Sequence, residues 1–330
     1  RGGARDGGSR GGAKLRTPAG SQSALRAAGP VAETLLGVSG VLTVGASLIF
    51  VAVMVLLALA LRRPAGQVHA RWWVLGGGLA FPAIVLSALF AYSEQHKPPW
   101  RVAPPKDALI VGLTAHMWWW EVRYRDPATG AEVVTANEVR MPVGRPVYFG
   151  LSSADVIHSF WVPSLGGKMD MVPGRVQHLQ LQASRAGVWR GQCAEFCGEQ
   201  HARMALHVVA EEPAAFEAWL AAQARPASAV PRGPGAERLA RGRDAFVAHR
   251  CTACHAVRGL SEERSLGPDL THVGSRLFLG AGSVPNEPTQ LARWVAHTQQ
   301  IKPGARMPSA GERIDDADLH AIAAWLSHLQ

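Results

Sequence analysis

Residues Gly37 to Leu61 read GVSGVLTVGASLIFVAVMVLLALAL, without one charged side chain. No other stretch limits the fold so tightly. As a helix, this run covers the roughly 30 Å hydrocarbon core of a bilayer, where only a helix or a closed barrel satisfies its own backbone. A second run, Trp72 to Tyr92, reads WWVLGGGLAFPAIVLSALFAY. It starts with tryptophans and ends with a tyrosine, residues that favour the lipid interface. Pro82 predicts a bend, which a membrane helix tolerates. The alternative is a pair of buried helices in a soluble protein. Against it, the runs follow each other with charges only between them. Arg62, Arg63 and Arg71 in the connection predict a cytoplasmic loop, with both termini on the outer side.

The 330 residues carry a formal charge of +9, a balance that raises nucleic acid as a partner. The distribution excludes it. Arg1, Arg5, Arg10, Lys14, Arg16 and Arg26 face only Asp6 in residues 1–30, so this tail supplies over half the excess. Residues 101–217 and 237–330 are each close to neutral. The tail is rich in Gly, Arg and Ser, which predicts disorder. Contact with anionic lipid is its functional reading, and a solvated tail its bland one. No signal-peptide pattern is seen in it.

Residues 31–97 therefore hold two transmembrane helices, about 37–61 and 72–92. After Pro98 and Pro99 the rhythm changes. Short β-branched and aromatic runs alternate with turns at Leu109–Thr114, Trp118–Tyr124, Glu132–Asn137, Pro146–Leu151, His178–Gln182, Val188–Gln192 and Ala205–Val209. This predicts a small all-β sandwich or barrel over 98–222, closed by a helix at Glu211–Gln223. A Pro- and Ala-rich linker follows at 223–236. Helices at Glu237–His249, Glu287–Gln299 and Asp315–Leu329 make 237–330 an all-α domain. The thirteen linker residues from Ala224 to Ala236 reach about 40 Å when extended, which predicts a swinging tether with more than one docking position.

All four cysteines fall inside metal-binding patterns. Cys193 and Cys197 open CAEFCGEQHARM, which ends at Met204. The loop offers two thiolates, an imidazole and a thioether, a set that suits copper. Two cysteines four apart can bridge two copper ions, each then needing one histidine and one weak ligand. His201 and Met204 supply one of each. The second histidine must come from elsewhere, and His158 in SSADVIHSFWVP (152–163) stands out. The alternatives are a satisfied core histidine and a disulfide, which an extracytoplasmic site permits.

Those residues carry a resemblance. From about residue 30 to 220 the chain resembles subunit 2 of cytochrome c oxidase, which holds a binuclear CuA centre in a cupredoxin domain on two transmembrane helices. The resemblance implies CuA ligands at His158, Cys193, Cys197, His201 and Met204, with the main-chain oxygen of Glu195 as the remaining one. It also implies a magnesium ion on the Glu195 side chain at the interface with subunit 1. The stretches Val162–Asp170 and Pro173–Arg175 match as well. Trp118, in HMWWW (116–120), aligns with the tryptophan that admits electrons from cytochrome c. One departure is plain: Gln67 to Trp72 lacks the carboxylate that family members carry before the second helix, which puts a proton path through this subunit in doubt.

Cys251-Thr252-Ala253-Cys254-His255 is the attachment signature of c-type haem, with His255 as an axial ligand. Taken alone, the pattern also fits a zinc or disulfide pair. Met307, in KPGARMP (302–308), is the sixth-ligand candidate and resembles the methionine loop of class I cytochromes c. His272 and His297 are alternatives. Gly267-Pro268-Asp269-Leu270 and the terminal helix with Trp325 resemble further parts of that family. The fusion is similar to caa-type oxidases, whose donor cytochrome is tethered to subunit 2. This implies electron flow from an upstream donor to haem c, then CuA, then the haem of subunit 1, where oxygen is reduced and protons are translocated. Further oxidase subunits and the lipid bilayer are the other implied partners, at a bacterial inner membrane with both large domains periplasmic. Two other classes compete. A nitrous oxide reductase needs a second large copper domain, for which this length has no room. A membrane-bound CuA and haem c carrier could instead serve another terminal reductase.

Overall fold

Pro30 starts the first helix, α1 (Pro30–Arg62), where a missing N–H is no loss. Glu33 in its first turn and Arg62 in its last complement the helix dipole. The computed structural model describes residues 21–62, 69–97, 104–106, 108–125, 130, 132–228, 233–261 and 266–330. The second helix, α2 (Ala70–Gln95), widens into a π-helical stretch from Trp73 to Ala80. Its cause lies just downstream. Pro82 has no N–H to donate, and its ring collides with the carbonyl four residues back. The chain slips by one residue, so the Phe81 N–H bonds the Gly76 carbonyl. Both helices are long and apolar enough to cross a membrane, and side chains such as Leu48, Phe50, Trp72 and Phe90 stand exposed along them. Gln67 and Val68 of the segment without a carboxylate lie outside the described residues, as do residues 1–20 of the basic tail.

Residues 21–29 depart from the expected free tail of residues 1–30. The Ala28 N–H bonds the Ser164 carbonyl at 2.7 Å, and the Ala28 carbonyl accepts from the Ser184 N–H at 2.8 Å. Gly29 lies so close to the Gln182 carbonyl that a Cβ would sit 2.1 Å from it. Small residues thus lay the start of α1 on the β domain that follows α2.

Among the described residues the β domain has ten strands: β1 (Leu109–His116), β2 (Trp119–Arg125), β3 (Glu132–Ala136), β4 (Glu138–Pro142), β5 (Val147–Ser153), β6 (His158–Trp161), β7 (Met169–Met171), β8 (Gln177–Leu181), β9 (Gly187–Cys193) and β10 (Ala205–Glu211). One sheet runs β3-β2-β1-β5-β8 and the other β4-β10-β9-β6-β7, with β1–β5 and β4–β10 parallel. Alternating residues of β1 (Leu109, Val111, Leu113 and Ala115) point into the core with Trp120, Tyr124, Phe149 and Phe160. Tyr124 ties the sheets together. Its hydroxyl donates to the Arg140 carbonyl at 2.9 Å and accepts from the Arg140 N–H at 2.7 Å. Helix α3 (Pro213–Gln223) starts two residues later than expected, because β10 stays in register with β4 through Glu211 opposite Pro142.

In the C-terminal domain, helix α4 (Ala236–Ala248) crosses the last helix at Gly242, followed by α5 (Pro288–Ala296), α6 (Thr298–Ile301) and α7 (Asp316–His328). A Cβ on Gly242 would lie 2.0 Å from the Ala321 carbonyl oxygen, so only glycine permits this crossing. Phe246 and Trp325 pack beside it with ring centroids 5.1 Å apart. A two-residue hairpin, β11 (Phe278–Leu279) and β12 (Val284–Pro285), reaches the β domain. There Phe278 stacks on His207 at 4.1 Å, and the Ala205 N–H bonds the Ala281 carbonyl at 3.0 Å. The first half of the linker is no free tether. Arg258 donates to the Gln223 carbonyl at 2.5 Å, the Ala227 N–H bonds the Arg258 carbonyl at 3.0 Å, and His272 meets the Arg225 carbonyl at 2.9 Å. Residues 229–232 lie outside the described residues.

Candidate functional site

Strand β9 ends at Cys193, and the loop that follows folds back to β10 through a single helical turn, His201–Arg203. The Cys193 N–H bonds the Met204 carbonyl at 2.9 Å, which closes the loop at its base. Gly198 adopts a positive φ of 110° and lies under the Trp118 indole, where a Cβ would come within 3.1 Å of the ring. The turn brings the predicted ligands together. Cys193 Sγ lies 3.7 Å from Cys197 Sγ, 3.2 Å from the Glu195 carbonyl oxygen and 3.8 Å from His158 Nδ1. Cys197 Sγ lies 3.6 Å from His201 Nδ1 and 3.9 Å from Met204 Sδ. Two sulfurs thus sit at the centre, with one imidazole and one weak donor on each side. Both cysteines are free thiols and buried.

His158 arrives from β6 in the neighbouring strand and is fully buried. Asp155 orients it. The Asp155 carboxylate accepts from His158 Nε2 at 2.8 Å, from the Met117 N–H at 2.7 Å and from the Val156 N–H at 2.8 Å. With Nε2 committed as a donor, the Nδ1 lone pair faces the sulfurs. Asp155 was not singled out from the sequence, although the signal was present as an acid three residues before a ligand histidine.

The electrostatics fit a soft cation. Contact with the Cys197 thiol, and with His158 after the opposing effect of burial, pulls the Cys193 thiol well below the ordinary thiol range. The neighbouring Cys193 thiolate, with burial, pushes the Cys197 thiol far up. The cluster holds one negative charge readily and a second only with positive charge between the sulfurs. Buried thiolate, imidazole and thioether donors without a carboxylate among them suit copper.

The Glu195 side chain is exposed beside Phe196, which is 76 % exposed. Trp118 lies next to the cluster, its indole N–H donating to the Cys197 carbonyl at 2.8 Å.

The haem candidates lie in the C-terminal domain. His255 Nδ1 meets the Pro268 carbonyl at 2.8 Å, which leaves Nε2 free to bind iron. Gly267 presses on the same ring, with space for a Cβ closed to 2.7 Å. Burial holds His255 below the usual histidine range, so the ring is neutral, as a ligand must be. Burial pushes the Cys251 thiol up to about 11. Cys251 and Met307 pack against the same apolar cluster. Gln299 holds the methionine loop by donating to the carbonyls of Ala305 and Met307, both at 2.6 Å. Of the alternative histidines, His272 is buried against the Arg225 carbonyl, and His297 is exposed in a cleft between the domains with Arg190, Arg203 and Arg293.

The chain matches the family of the cytochrome c oxidase subunit II periplasmic domain over residues 127–211 and the cytochrome c family over residues 239–330. The first match implies copper and the second haem. Cytochrome c oxidase subunit 2 of Alkalihalophilus pseudofirmus is 34% identical over 252 residues, 76% of this chain and 69% of that protein. The subunit 2 of Bacillus subtilis is 30% identical over 234 residues, 68% of this chain and 63% of that protein. The periplasmic domain of subunit II of the Bradyrhizobium japonicum cytochrome oxidase aligns at 30% identity over 36% of this chain and 95% of that structure, with a TM-score of 0.33.

Proposed function

The chain belongs to the cytochrome c oxidase subunit 2 family, and from that premise we propose that it is the electron-accepting subunit of a terminal oxidase and carries its own donor cytochrome. The observation that carries the reading is the convergence of His158, Cys193, the Glu195 carbonyl, Cys197, His201 and Met204 around two adjacent sulfurs. These residues are proposed to hold a binuclear copper centre. Cys251 and Cys254 would attach one haem c covalently, with His255 and Met307 on its two faces. When bound, the copper pair and the haem would supply one-electron carriers.

The residues do the rest. Asp155 fixes the His158 tautomer, and the buried sandwich keeps water from the sulfurs. Trp118 links the loop surface to the Cys197 carbonyl and is the proposed point of electron admission. The exposed Phe196 and the Glu195 carboxylate lie on the same loop. They form the proposed contact with subunit 1, with Glu195 as a magnesium ligand there. Arg62, Arg63 and Arg71, at and between the facing ends of α1 and α2, support a cytoplasmic connection and hence periplasmic domains. Oxygen is proposed to be reduced in subunit 1, with proton translocation there. The test is Cys197→Ser in the assembled oxidase. Oxygen reduction is expected to stop while haem c remains reducible. Normal turnover in that variant refutes the reading.

A further inference from the structure

Lys302 is 3 % exposed although lysine is among the residues least often buried. Its ammonium donates to the carbonyls of Trp118 at 2.7 Å, Arg203 at 3.0 Å and Gly280 at 3.0 Å. Two of those acceptors belong to the β domain and one to the haem domain. Trp118 adjoins the copper loop, Arg203 precedes the ligand Met204, and Lys302 stands on the loop that carries Met307. No carboxylate pairs with Lys302 among the described residues, so carbonyl oxygens alone replace its water.

Such a site has one solution. An ammonium taken from water is stabilised here only if all three carbonyls stay in place. A shift of the haem domain along the surface strands the charge, and full separation breaks two of the three bonds. The surroundings repeat the constraint. Arg203 donates to the Ile301 carbonyl at 2.5 Å, and the Leu277 N–H bonds Glu138 at 2.8 Å. A Cβ on Gly304, two residues from Lys302, would meet Glu199 at 2.6 Å and the Trp118 ring at 3.5 Å. The haem domain therefore lies on the face of Trp118 that an incoming donor would need.

We propose that Lys302 is the positioning residue that fixes the haem domain on the copper loop in a single pose, and that this pose closes Trp118 to soluble cytochromes. The inference rests on the function proposed above for its consequence in electron transfer, but the docking itself does not. The assembled oxidase is compared with its Lys302→Met and Phe278→Ala variants. One readout is amide hydrogen exchange at Ala205 and Leu277, whose N–H groups bond across the interface. It is read whether or not copper and haem are loaded, so a failure of the cofactor assignment leaves this arm intact. The other is reduction of the copper centre by added reduced cytochrome c in stopped flow, with copper and haem spectra as controls.

For Lys302→Met the expected result is exchange faster by about tenfold or more, the effect of losing hydrogen bonds to a charged group. Direct reduction by soluble cytochrome should appear with unchanged spectra. Phe278→Ala, which keeps the lysine, should raise exchange less and leave Trp118 closed. Unchanged exchange in Lys302→Met overturns the proposal, as does equal opening by Phe278→Ala. Should Lys302→Met fail to assemble, the wild type decides: resistance of its copper to direct reduction by soluble cytochrome supports closure, and direct reduction overturns it.

Discussion

Replacing Asp155 by alanine removes a side chain that binds no metal, yet it should loosen copper. The carboxylate accepts hydrogen bonds from His158 Nε2, the Met117 N–H and the Val156 N–H. Val156 is exposed, so water can replace its partner. His158 is fully buried and cannot be served that way without rearrangement. Its ring then loses the restraint that aims Nδ1 at Cys193. Loss of such a carboxylate partner costs about 10–100-fold in metal affinity, or roughly 1.4–2.8 kcal/mol. The orphaned ring N–H costs a further ~1–3 kcal/mol in folding stability. The assay is competition for copper with a graded set of chelators, alongside thermal unfolding of the copper-free protein. Copper affinity within twofold of wild type would refute the claim that Asp155 holds His158 for the metal.

Other expectations follow from particular contacts. His207 lies buried against Phe278, and burial, aided by Arg190, pushes its pKa down from 6.5 to about 4. A depressed histidine is stabilising while neutral, so docking should be full above pH 6.5 and weaken as pH falls through about 4. Amide exchange at Ala205 reads this, and His207→Phe should flatten the profile. Gly242→Ala should destabilise the haem domain by about 3 kcal/mol through the collision with the Ala321 carbonyl, seen as a lower Tm for that domain. Met307→Ala should leave haem attached through the cysteines but convert it to a high-spin form with an open position. An unchanged low-spin spectrum would assign the sixth ligand elsewhere.

Much of this organisation was legible because its signals are local. The charge-free run Gly37–Leu61, the alternation in β1 and β9, and the fixed spacing of CAEFCGEQHARM each report on their own segment. What escaped depends on partners distant in sequence. Strands β6 and β7 are short and carry His158, Ser159 and Asp170, so they show no apolar alternation. They exist because β9 and β6 pair through Cys193 and Phe160. Strand β4 is held by β10, far along the chain. The linker looked free from its prolines, but Arg258 and His272 hold its first residues by backbone carbonyls, a pairing that composition does not reveal. Asp155 and Lys302 likewise look like ordinary surface charges until the fold supplies the groups they bind.

The central claim is that Cys193 and Cys197 hold a pair of copper ions. Electron paramagnetic resonance of the purified, full-length oxidase complex tests it most directly, with copper and haem quantified in the same sample. The account predicts a spectrum in which one unpaired electron is shared between two copper nuclei, lost in Cys197→Ser while the haem c signal persists. A Cys193–Cys197 disulfide with no shared-electron copper signal in the wild type would contradict it.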